Sequence, residues 1–90
     1  MSNFYLTRGV NNRVAEEENF AKFVLKSLRR HFNNDFSECD PEDAETNRES
    51  LKDGSRIFTV YNFNPDVKIW IITEAKPYRD RTTVLFPDEY

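Results

Sequence analysis

Carboxylates crowd the middle of this chain. Seven of the fifteen residues from Asp35 to Glu49 are Asp or Glu, and Arg48 is the only base among them. Glu42, Glu45 and Glu49 are spaced so that a helix would stack them on one face, with neighbouring Cβ atoms about 5–6 Å apart. Glu38 and Asp43 extend the row. A row of negative charges at that pitch can stand in for successive phosphates and fit the basic groove of a protein that handles nucleic acid. The same row also serves as an ordinary solvated helix face.

The segment just before it has the opposite sign. Lys22, Lys26, Arg29 and Arg30 fall between Lys22 and His31, where no acid occurs. This basic stripe is the alternative contact surface, one that would bind phosphates directly, with Arg79 and Arg81 around Tyr78 as helpers. The overall balance, sixteen acids against thirteen Lys and Arg with a net charge of −3, favours the acidic reading.

Catalytic and metal-binding sets are missing. His31 is the only histidine and Cys39 the only cysteine, with no third orienting group evident. Two ligands are too few for zinc. The expectation is a solvent-facing His31 at a helix carboxyl end, an unremarkable thiol, no metal, no cofactor and no enzyme activity. The only glycines, Gly9 and Gly54, lie too far apart for a phosphate-binding loop. A nuclease-like site around His31 is the remaining catalytic alternative. Tyr78 and Tyr90 are the aromatics expected to stay outside the core; packing at its edge is the ordinary reading of such residues, and an interface anchor is the alternative.

The elements that must position these residues follow from periodicity. Phe4 to Thr7 has strand composition and stops at Gly9. Asn11 and Asn12 offer capping oxygens, and Glu16, Glu17 and Glu18 suit the positive end of a helix dipole. Phe20, Phe23, Val24, Leu28 and Phe32 then form one apolar stripe on a long helix that Asn33-Asn34 can end. Asp40-Pro41 starts a second, acidic helix that Gly54 terminates, with Ala44 and Leu51 as its apolar contacts. Arg56–Phe63, Val67–Glu74 and Thr82–Phe86 read as a meander, turned at Asn64-Pro65-Asp66 and around Pro77.

The sum is a single α+β domain over residues 1–90. It holds a long amphipathic helix and a short acidic helix on a three- to four-stranded antiparallel sheet, in the order β-α-α-β-β-β. No run of signal-peptide or membrane-spanning length occurs, and a lone cysteine fits a reducing, cytoplasmic setting. A homodimer is among the states the sequence allows.

The local strings resemble a family. Thr7-Arg8-Gly9-Val10, Phe20-Ala21-Lys22-Phe23-Val24 with Ser27-Leu28, Lys68 to Glu74, and Thr82 to Pro87 before Glu89-Tyr90 are similar to small plasmid-related proteins of bacterial plasmids, conjugative elements and prophages. The resemblance covers nearly the whole chain and departs at Asn62–Asp66 and Lys76–Arg81, where the turns are longer. It brings no catalytic residues. It implies a mobile-element accessory protein that binds a host protein of a CRISPR or restriction system and inhibits it. On that reading Glu38, Glu42, Asp43, Glu45 and Glu49 form the contact face, with Tyr78 and Arg79 beside it.

Overall fold

A computed structural model describes residues 3–90. The strands are β1 (Asn3–Leu6), β2 (Ile57–Asn64), β3 (Val67–Thr73) and β4 (Arg81–Leu85). The helices are α1 (Arg8–Glu16), α2 (Glu18–Phe32) and α3 (Pro41–Asp53), and a 3-10 turn at Pro87–Glu89 closes the chain. The class is α+β, as the patterning predicts.

Two features depart from expectation. The sheet is mixed, in the order β1-β4-β3-β2: β4, β3 and β2 are antiparallel neighbours, whereas β1 runs parallel to β4. Hairpin connections force antiparallel pairing; three helices and two strands separate β1 from its partner β4, a connection long enough to allow either direction. The long helix is also two helices. Glu17 takes an extended conformation between α1 and α2, and Thr7 occupies the cap position that Asn11 and Asn12 were expected to fill. Three successive glutamates oppose the negative end of α1 and suit the positive end of α2, so the break falls among them.

Helices cover one face of the sheet. Val10, Phe20, Val24 and Leu28 pack on Tyr61, Ile69, Ile71 and Val84, and Leu6, Phe23 and Phe63 close the margins. Phe32, placed on the stripe by sequence, is 45% exposed, and His31 takes the buried position instead. Leu51 is exposed as well: α3 buries Ala44, Asn47 and Ser50. The other face carries Phe58, Trp70 and Tyr90, with Trp70 edge-on to both neighbours. The start of α3 at Pro41 and its end at Gly54, with φ of 82°, are as predicted.

Candidate functional site

The acidic segment splits into two populations. Asp35 and Glu38 turn inward to Arg30. The Arg30 Nε donates to Asp35 Oδ2 at 2.7 Å, one Nη donates to Glu38, and the other donates to Ser37 Oγ at 3.0 Å. The guanidinium lies 4.8 Å over the Tyr61 ring, whose hydroxyl donates to the Asp35 carbonyl at 2.7 Å. Arg30 thus holds the Asp35 carboxyl down at about 2, helped by the Ser37 hydroxyl and amide. Burial pushes the Glu38 carboxyl up, yet the Asn62 amides and Arg30 together outweigh it and hold it low. A planar fork with five donors suits this arrangement, and a lysine would not.

Glu38 and Arg30 therefore leave the two surfaces that sequence assigned them. The basic stripe shrinks to Lys22, Lys26 and Arg29, all exposed, with Lys22 3.6 Å from Glu18. Arg79 also turns inward: one Nη donates at 2.7 Å to the Ser50 carbonyl, which also accepts the Gly54 amide at the end of α3. Tyr78 stays 52% exposed beneath the Arg81 guanidinium.

Glu42, Glu45 and Glu49 form the second population. All three are exposed on α3, and Glu45 alone has an ion partner, Arg48 at 3.0 Å. An exposed pair of this kind is worth little, so the face remains negative. Asp43, half-buried, turns toward a shallow cleft between α3 and β2, lined also by Thr46, Asn47, Arg56 and Phe58. The cleft adjoins the aromatic group of Phe58, Trp70 and Tyr90, to which Arg56 Nη1 donates at the Tyr90 hydroxyl, 3.1 Å away.

What fixes α3 in place is a residue that hydropathy patterning passed over. Asn47, 2% exposed, grips the backbone of Phe58 at two points: Nδ2 donates to its carbonyl at 2.6 Å and Oδ1 accepts from its amide at 3.0 Å. The amide side chain imitates a neighbouring strand. The Cys39 thiol lies 3.8 Å from the same Phe58 carbonyl, and further along the strand the Asn62 amide donates to Glu38 Oε1 at 3.0 Å. The outer edge of β2 is thus engaged by side chains at Phe58 and Asn62, one of the ways proteins protect an edge strand. Burial pushes the Cys39 thiol up, with the nearby aspartates adding to it, so the sulfur is a poor nucleophile.

His31 corrects the solvent-facing expectation. It is 3% exposed, with Nδ1 2.7 Å from Thr59 Oγ1 and Nε2 2.7 Å from Thr73 Oγ1. Thr73 meets Thr82 Oγ1 at 2.8 Å, and Thr59 Oγ1 donates to the Ile71 carbonyl at 3.4 Å. One proton arrangement gives every hydroxyl an acceptor: Thr82 donates to Thr73, Thr73 to Nε2, Nδ1–H to Thr59, and Thr59 to Ile71. The imidazole is neutral in that arrangement, and burial, which lowers its pKa to about 4, favours the same form. It is 3% exposed with both ring nitrogens engaged by threonine hydroxyls, a buried structural environment rather than the solvent-facing one expected. Among the described residues no three His, Cys, Asp or Glu side chains are placed to hold a metal ion, and no helix is long and apolar enough to cross a membrane.

No protein-family model, curated protein or solved structure matches this chain.

Proposed function

We propose that this chain is a non-enzymatic accessory protein of a mobile element that binds a host protein of a nucleic-acid-directed defence system, CRISPR or restriction, in the bacterial cytoplasm. The acidic face of α3 is the contact surface. One observation carries this reading: Glu42, Glu45 and Glu49 stay exposed on a helix locked to β2 by Asn47. A rigid row of carboxylates meets a basic groove without ordering a flexible segment first. Asp43, Arg56 and Phe58 at the adjacent cleft add a place for a partner side chain, and the likeness to plasmid-related proteins supplies the host context. Glu38 and Arg79 support the scaffold on this reading; Tyr78 stays at the margin.

The alternative surface, the basic face of α2, is weaker because Arg30 is committed to Asp35 and Glu38. The test is capture of host proteins by a tagged copy, comparing the native chain with a Glu42→Gln, Glu45→Gln, Glu49→Gln variant. The reading expects a partner that handles nucleic acid, held at least tenfold less tightly by the variant and released by added salt. Equal capture by both forms rejects it.

A further inference from the structure

The two edges of the sheet are treated differently. Side chains of Asn47, Cys39 and Glu38 engage the β2 edge at Phe58 and Asn62. At the other end of the sheet lies β1, which has β4 as its single neighbour among the described strands. The Thr7 amide donates to the Val84 carbonyl at 3.1 Å, so backbone alternation turns Tyr5 toward β4 and aims the amides and carbonyls of Phe4 and Leu6 away from it. No charged residue occurs from Asn3 to Leu6, and Phe4 and Tyr5 are 49% and 53% exposed. Proteins that keep such an edge free usually guard it with charge, a proline or a bulge.

We propose that the β1 edge pairs with the β1 edge of a second copy of this chain, antiparallel about a two-fold axis through Tyr5. The outward-facing groups sit at positions 4 and 6, symmetric about 5, so the strand is its own complement. Phe4 of one copy exchanges both backbone bonds with Leu6 of the other, and the symmetric pair doubles this to about four hydrogen bonds. The two tyrosines at position 5 form the non-hydrogen-bonded pair on the face of Trp70, with Cα atoms about 4.5 Å apart. On the helix side, Phe4 lies against Leu6 of the opposite copy. Two four-stranded sheets become one of eight, and neither β1 edge stays open. This pairing stands independently of the α3 surface.

The test is sedimentation equilibrium on the native chain and two variants. Phe4→Pro removes an amide hydrogen that β4 does not use, and edge strands tolerate proline at such positions. Tyr5→Lys sets like charges directly opposite each other. The expected result is a concentration-dependent monomer–dimer equilibrium for the native chain and at least tenfold weaker association in both variants, with unchanged far-ultraviolet circular dichroism. Should Phe4→Pro unfold, Tyr5→Lys decides. A Tyr5→Cys chain should form a 5–5 disulfide on air oxidation, because the spacing falls within disulfide range, whereas Thr83→Cys, one strand inward on the same face, should not. A native chain that is monomeric up to several hundred micromolar overturns the proposal and leaves the edge to a strand of another protein. A dimer unaffected by Tyr5→Lys also overturns it.

Discussion

The Glu89 carboxylate caps the helix that begins beside Gly9, eighty residues earlier in the chain. Its Oε2 accepts from the Gly9 amide at 2.9 Å; Oε1 accepts from Thr7 Oγ1 at 2.5 Å and from the Phe86 amide at 3.1 Å. Thr7 holds the cap position of α1 but makes no capping bond of its own, so Glu89 supplies the anion from the far end of the chain. Burial pushes this carboxyl up, but the hydrogen bonds from Thr7, Phe86 and Gly9 outweigh it and keep it low. Thr7 to Gly9 near the start of the chain and Phe86 to Glu89 near its end are thus one clamp.

The clamp makes a prediction with a change of sign. A Cβ at position 9 would come 2.8 Å from Glu89 Oε2, so Gly9→Ala must push the carboxylate away despite the better helix propensity of alanine. Glu89→Ala should cost about 1–2 kcal/mol, the scale of a lost helix cap. In the native background Gly9→Ala should destabilise. In the Glu89→Ala background the same change should stabilise, by up to about 1 kcal/mol. Urea unfolding of the four chains reads this coupling directly, and additive effects would separate Gly9 from Glu89.

Acid should act in two stages. The unfolded His31 titrates near 6.5 and the folded one near 4, so between those values the unfolded chain binds more protons. The contribution of neutral His31 is complete above pH 6.5 and is lost as pH falls toward and through 4, on the order of 3 kcal/mol in all. Asp35, folded near 2 against 3.8, then gives up its share as pH falls through that lower window. Urea midpoints measured from pH 7.5 to 3 should fall first between 6.5 and 4. A His31→Gln chain, though weaker at neutral pH, should lack that first slope.

Much of this was legible in the sequence, and the failures share a cause. Strand positions, the Pro41 start and Gly54 end of α3, and the closing Asn33-Asn34 follow from local chemistry, which acts on neighbouring residues. Hydrophobicity ranked Phe32 above His31 and Leu51 above Asn47, since apolar side chains are the default occupants of a core. In each case the buried position belongs to a polar residue whose partners lie elsewhere: Thr59 and Thr73 for His31, Phe58 for Asn47. Spacing alone allowed His31, three residues after Leu28, as readily as Phe32. Nothing local distinguishes Asp35 and Glu38 from Glu42 and Glu49 either. Only the fold brings Arg30 against the first two.

Arg30 should therefore behave as a structural residue. Arg30→Ala leaves two part-buried carboxylates without their cation and Tyr61 without its stacked guanidinium, a loss of about 2–3 kcal/mol. Arg30→Lys should recover less than half of it, because an ammonium cannot reach Asp35, Glu38 and Ser37 together. Thermal melts of both variants check this. Retained stability in Arg30→Lys would return the residue to the basic surface of α2.

Asn47 offers the sharpest test of how α3 is held. Asn47→Ala strips the Phe58 amide and carbonyl of their side-chain partners and should cost about 2–3 kcal/mol. Asn47→Asp keeps the shape yet turns a carboxylate oxygen toward the Phe58 carbonyl, where an amide donor now sits at 2.6 Å. Two acceptors at that distance repel, so the aspartate should be at least as harmful as alanine at neutral pH. The difference between them should narrow in acid, where the carboxyl regains a donor hydrogen. Both variants uncover the β2 edge and should aggregate on heating before the native chain does, a shift that light scattering follows. If Asn47→Asp matches the native melting temperature at pH 7, the two-point grip does not hold α3, and the rigid acidic face loses its support.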